Sequence, residues 1–111
     1  MPPPARYMHT IDYVPRLSLC TIYGGRDDSI KESPIFDDLW IIKLFNLEYI
    51  KVQVGGKTLP TGRCNHCSFV NSTELIICGG MGNEYKLKKD IEIIELDQDK
   101  VDKTNPYLGT Y

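Results

Sequence analysis

Apolar residues along this chain recur with a period of two, in short bursts cut off by glycine, proline, asparagine and aspartate. That alternation predicts seven strands, near residues 7–13, 17–23, 38–44, 47–54, 66–71, 74–78 and 90–96. The links Val14-Pro15-Arg16 and Asn71-Ser72-Thr73 are short and turn-prone, which predicts hairpins between consecutive strands. No stretch carries an amphipathic helical stripe, so the expected fold class is all-β. In the third strand Leu39 and Ile41 fall on one face, and Trp40, Ile42 and Leu44 on the other. Apolar groups on both faces are what a sheet needs when it is covered on both sides.

The chain also repeats itself. Arg6-Tyr7-Met8-His9 returns as Arg63-Cys64-Asn65-His66, and Gly24-Gly25 returns as Gly79-Gly80 after another apolar strand. The stretch Asp38-Leu39-Trp40-Ile41-Ile42-Lys43-Leu44 returns as Asp90-Ile91-Glu92-Ile93-Ile94-Glu95-Leu96. The three matches keep their order at offsets of about 50 to 57 residues, the period of a four-stranded repeat. A double glycine after a strand admits positive φ and lets a neighbouring chain approach closely.

The ordered set Pro4, Arg6, His9, Gly24, Gly25, Asp38 and Trp40, followed by Pro60, Arg63, His66, Gly79, Gly80 and Asp90, resembles the kelch repeat. The resemblance runs from about Pro4 to Leu96, most of the chain. It implies two four-stranded antiparallel blades, with the first strand of each innermost in a β-propeller. Residues 1–59 would form one kelch-like blade and residues 60–111 a second, whose outer strand falls near residues 100–102. The pattern departs from the family where a tryptophan would precede the next blade's proline, since Ile50 stands there beside Tyr49. The matching stretch 97–101 has neither Trp nor Tyr, and Pro106 interrupts any late strand. Closed propellers need roughly four to eight blades. Two leave apolar faces and strand edges open, so a fragment, self-association or completion by other blades is expected.

Composition narrows the function. With 13 basic and 15 acidic residues the net charge is −2, which gives no electrostatic reason to expect nucleic acid or an anionic membrane. No apolar run approaches the roughly 20 residues of a bilayer span, and Met1-Pro2-Pro3-Pro4-Ala5-Arg6 lacks the apolar core of a secretory signal. The expected address is therefore the cytoplasm; the resemblance adds cytoskeletal or ciliary association. In a reducing compartment Cys20, Cys64, Cys67 and Cys78 are expected to be free thiols that pack as small hydrophobes.

Candidate chemistry reduces mostly to structure. Cys64-Asn65-His66-Cys67 has zinc-like residue types, but strand periodicity would put Cys67 on the face opposite Cys64 and His66, so no metal is expected. His9 and His66 occupy matching places, as do Arg6 and Arg63, and repetition suits a structural hydrogen bond better than catalysis. The glycine pairs lack the Lys-Ser/Thr of a phosphate loop, and no Gly-x-Ser-x-Gly elbow occurs. Copper oxidases among kelch-like propellers take ligands from several blades, which this chain lacks. Neither catalytic residues nor a cofactor are expected. Tyr7, Tyr23, Phe36, Trp40, Phe45 and Tyr49 are read as core; Tyr85, Tyr107 and Tyr111 are freer to make contacts.

These readings converge on a non-enzymatic, protein-binding scaffold. The resemblance places residues 26–36, 55–62 and 81–89 on one rim, where polar loops on a rigid scaffold carry recognition. Arg26, Asp27, Asp28, Asn83 and Tyr85 are the expected contact residues. The alternative is a structural filler that completes a larger assembly through its apolar faces, using Trp40 and the strand at 47–54. A small zinc protein is the third reading.

Overall fold

The computed structural model describes residues 2–52 and 61–96. Among these residues seven strands form, all antiparallel: β1 (Thr10–Val14), β2 (Leu19–Tyr23), β3 (Leu39–Lys43), β4 (Glu48–Lys51), β5 (Cys67–Asn71), β6 (Glu74–Cys78) and β7 (Ile91–Glu95). They make two meanders, a sheet of order β1-β2-β3-β4 and a sheet of order β5-β6-β7. The all-β expectation is met, with two single 3-10 turns at Pro15–Leu17 and Asn83–Tyr85 as the helical content of the described residues. The expected strand near residues 100–102, the end of the strand at 47–54, and the late aromatics Tyr107 and Tyr111 lie outside the described residues.

Strand ends differ from the periodic reading for local reasons. Met8 holds φ +59° and its counterpart Asn65 φ +54°, which breaks the alternation. Tyr7 and Cys64 therefore pair only through isolated bridges, to Arg26 and Met81, and the regular strands begin at Thr10 and Cys67. Pro15–Leu17 forms a 3-10 turn closed by Ser18 in the left-handed region, which moves the start of β2 to Leu19. The second hairpin keeps the tight link expected, with Ser72 at φ +60°, as a two-residue turn of the primed type requires.

Register fixes the faces. In the first sheet Thr10–Tyr23–Leu39, Asp12–Thr21–Ile41–Ile50 and Val14–Leu19–Lys43 lie side by side on one face. In the second, Ser68–Ile77–Glu92 and Val70–Leu75–Ile94 share a face. These two faces meet: Val14, Leu19, Tyr23, Leu39, Ile41, Ile50 and Val52 join Leu75, Ile77, Ile94 and Leu96 in one buried core. Burial of this kind is worth roughly 1.5–3 kcal/mol for each large side chain. Polar contacts register the seam between β1 and β5. Ser68 Oγ donates to Asp12 Oδ2 at 2.5 Å, and Thr10 Oγ1 lies 2.8 Å from His66 Nε2.

The aromatics divide. Tyr23 and Trp40 are buried as read, whereas Tyr7, Tyr49 and above all Phe45, 80% exposed beside the turn before β4, are not. Leu44 also falls outside β3 and is exposed.

Candidate functional site

The repeated residues form one contact pattern twice. Arg6 donates from Nε to Pro4 O (3.2 Å), from Nη1 to Gly24 O (3.1 Å), and from both Nη atoms to the Asp38 carboxylate (2.5 and 2.9 Å). Arg63 repeats this on Thr61 O (3.2 Å), Gly79 O (3.1 Å) and the Asp90 carboxylate (2.9 and 2.9 Å). The glycine pairs match as well, with φ of +68° and +98° at Gly24 and Gly25 against +64° and +95° at Gly79 and Gly80. Trp40 adds a hydrogen bond from Nε1 to Asp38 Oδ2 at 2.8 Å. Bidentate guanidinium–carboxylate pairs are among the stronger polar contacts, and each of these ties both ends of a long loop to its own sheet.

The electrostatics follow this geometry. Burial raises the Asp38 carboxyl, but the hydrogen bonds from Arg6 and Trp40 outweigh it and hold the group below the usual carboxylate range. Hydrogen bonds from Arg63 bring Asp90 down to about 2. Desolvation, with the Arg63 and His9 charges, lowers His66 to about 4, so its ring is neutral at physiological pH. It packs edge-on against Tyr23, ring centroids 5.5 Å apart. His9 is lowered too, by desolvation and then by Arg6.

The loops these clasps tie off form the candidate site. Residues 24–38 and 79–90 emerge on one rim, and between them lies a cleft of about 400 Å³. Arg26, Asn83 and Tyr85 line it, joined by Lys31 and Glu32, over a floor that includes Ile35 and Met81. Three of the five expected contact residues therefore share one concavity. Lys88 Nζ donates to Thr61 Oγ1 at 2.7 Å, which ties the segment at 61–62 to the second loop; residues 55–60 of the expected rim lie outside the described residues.

Asp27 and Asp28 are used differently. The Asp27 carboxylate accepts from Ser29 N (3.0 Å) and Ser29 Oγ (2.7 Å), an Asx turn that shapes the loop. It lines a smaller cleft of about 210 Å³ beside Ala5, Arg6 and Tyr7. Asp28 accepts from Arg26 Nε (2.8 Å) and from the Tyr7 hydroxyl, and these bonds lower its carboxyl. Asp28 thereby fixes the guanidinium at the mouth of the larger cleft. Tyr7 was not read as a contact residue; its pairing with Arg26 is a backbone bridge, which side-chain pattern does not reveal.

Tyr85 stands exposed in the cleft, at 76%, and holds φ +59° at the end of its 3-10 turn. A bulky residue in the left-handed region is a strained outlier, of the kind that collects at binding sites.

The zinc reading needs one correction in its premise. The positive φ at Asn65 means that strand alternation does not govern residues 64–66, and β5 starts only at Cys67. Among the described residues no three His, Cys, Asp or Glu side chains converge as a metal site. Cys20, Cys64, Cys67 and Cys78 are free thiols. Register places Cys67 directly across from Cys78, a juxtaposition that spacing alone did not show. Among the described residues no helix is long and apolar enough to cross a membrane.

The chain matches no family model, and no curated protein matches it.

Proposed function

We propose that the chain is a pair of kelch-type propeller blades that works as a non-enzymatic protein-binding module, recognising its partner in the rim cleft between residues 26–35 and 81–85. The observation that carries the reading is the convergence of Arg26, Asn83 and Tyr85, from corresponding loops of the two repeats, on one concavity. Arginine and tyrosine dominate binding energy at protein interfaces because each couples a large apolar surface to a directed polar group. Here the guanidinium is held in place by Asp28, so little freedom is lost when a partner engages it. The partner fitting this cleft is an extended peptide segment with polar side chains for Arg26, Lys31 and Glu32, and an apolar one for Ile35 and Met81. The duplicated Arg–Asp clasps and Gly-Gly conformations support the blade assignment, because they recur at the residues that carry the kelch resemblance. In this reading the protein works in the cytoplasm.

A random peptide display library panned on the immobilised chain tests the site. Selected peptides are expected to perturb the amide resonances of residues 26–35 and 81–85, and to lose at least about tenfold in affinity on Tyr85→Ala or Arg26→Ala. Peptides that perturb only the sheet faces, or that bind both variants as well as the parent, would refute the rim assignment.

A further inference from the structure

Among the described residues the two sheets pack head to tail, and this leaves two unlike faces open. By the repeat, Asp12 in β1 corresponds to Phe69 in β5, and Ile11 corresponds to Ser68. Within the molecule, the Asp12 face of the first sheet meets the Ser68 face of the second. The counterpart of the Asp12 face in the second sheet is the one formed by Cys67–Cys78–Ile91 and Phe69–Ile76–Ile93. The counterpart of the Ser68 face in the first sheet is the one formed by Ile11–Ile22–Trp40 and Tyr13–Cys20–Ile42–Tyr49. Both open faces are apolar. Phe69, Ile91 and Ile93 are 50%, 69% and 57% exposed, and Ile11 and Tyr13 are 59% and 56% exposed, while Ile22 and Trp40 in the same rows are already covered. The molecule therefore ends in the two halves of the interface that it already contains.

We infer that a second copy of this chain docks head to tail, its Ile11/Tyr13 face seated on the Phe69/Ile93 face of the first. Three details favour this occupant. At the internal junction, a Cβ on Gly24 would lie 2.5 Å from Arg63 O and 2.8 Å from His66 Cε1, because the second repeat presses on that glycine. At the equivalent Gly79 a Cβ would meet, among the described residues, only Lys88 O, at 3.6 Å, so the same close approach is open there for the Arg6 carbonyl and His9 of an incoming copy. Next, the polar Asp12–Ser68 contact inside the molecule becomes Phe69 against Ile11 between molecules, an apolar pair in matching positions. Finally, the contact joins two different faces, so it adds copies in one direction and ends only when a ring closes. It goes beyond the rim reading and uses the blade assignment only for ring size: about two to four copies would supply the roughly four to eight blades of a closed propeller.

Sedimentation velocity on the whole chain and two variants tests this. Phe69→Asp blocks one open face and Ile11→Asp the other, both at exposed positions, and circular dichroism and urea midpoints confirm that each variant folds. The parent is expected to form a discrete oligomer in which Cys67 resists maleimide. Each variant alone is expected to associate at least about 30-fold more weakly, with Cys67 open to the reagent. An equimolar mixture of the two variants is expected to give a dimer and nothing larger, because each retains the face that the other has lost. A monomeric parent, a mixture that stays monomeric, or normal assembly by Ile11→Asp (the mark of a twofold contact through Phe69 alone) would overturn the inference. The rim reading is judged separately, by peptide binding to the Phe69→Asp monomer.

Discussion

Gly24 and Gly79 hold nearly the same left-handed backbone, φ +68° and +64°, and each offers its carbonyl to an arginine of its own repeat. Their surroundings differ. Gly24 lies under the Arg63 carbonyl and the His66 ring, whereas among the described residues Gly79 has only Lys88 O nearby. His66 and His9 differ in the same way, the first buried at the seam against Tyr23 and the second half-exposed. The comparison separates two kinds of constraint that the repeated sequence merges. The clasp between arginine, glycine carbonyl and aspartate is internal to each repeat and operates whether or not a neighbour is present. The close approach onto the first glycine belongs to the junction between repeats, and the described residues contain one such junction.

The largest effects should come from the shared part. Asp38→Ala leaves a buried guanidinium without its carboxylate and is expected to cost about 3–5 kcal/mol in urea unfolding, and Asp90→Ala about 1.5–3 kcal/mol, because the Asp90 side chain is 38% exposed and water takes over part of its role. Asp38→Ala should be the worse, because Trp40 Nε1 also loses its acceptor. A change of under about 1 kcal/mol at either site would break the equivalence of the two clasps.

The junction should show next. Both glycines pay roughly 1–2 kcal/mol on becoming alanine in the left-handed region. Gly24→Ala adds a clash with backbone and is expected to cost about 3 kcal/mol or more, against about 1 kcal/mol for Gly79→Ala. Equal losses, measured by thermal and urea unfolding of the Phe69→Asp monomer, would erase the distinction drawn here.

Acid sharpens the comparison on a gentler scale. His66 has a folded-state pKa of about 4, below its ordinary value near 6.5, so between these values the unfolded chain binds the proton that the folded one refuses. Stability is therefore full above about pH 6.5 and falls as pH drops toward 4, by up to about 3 kcal/mol. Asp38 and Asp90, both lowered by arginine, extend the loss below the usual carboxylate range, toward pH 2 for Asp90. His66→Gln should flatten the curve between pH 6.5 and 4, and His9→Gln should flatten it less. A wild-type profile without slope in that range would contradict a neutral, buried His66.

Much of this architecture was legible. All seven strands stand close to where alternation put them, because each half-buried strand has to sort its apolar side chains by face. The ends were less legible. Alternation cannot foresee a left-handed Met8 or Asn65, whose conformation is set by long-range bridges such as Asn65 N to Met8 O at 2.9 Å. Arg26, Asn83 and Tyr85 line one cleft because the repeat puts their loops in corresponding places. Adjacent Asp27 and Asp28 look alike in sequence, while a serine and an arginine nearby decide which one shapes the loop and which holds Arg26. The carbonyl acceptors at Pro4, Thr61, Gly24 and Gly79 carry no side-chain signature.

Each clasp pinches its loop at the stem: one guanidinium grips the Gly24 carbonyl where the excursion leaves the sheet and the Asp38 carboxylate where it returns, and its twin does the same at Gly79 and Asp90. The excursion from Gly24 to Asp38 is longer than that from Gly79 to Asp90, yet both stems have the same geometry. Because the entropy of closing a loop grows only slowly with its length, what lies above the pinch can be lengthened, shortened or replaced at little thermodynamic expense. The rim is in that sense a graftable surface, and foreign segments spliced between Arg26 and Ile35 should leave the sheets beneath them standing.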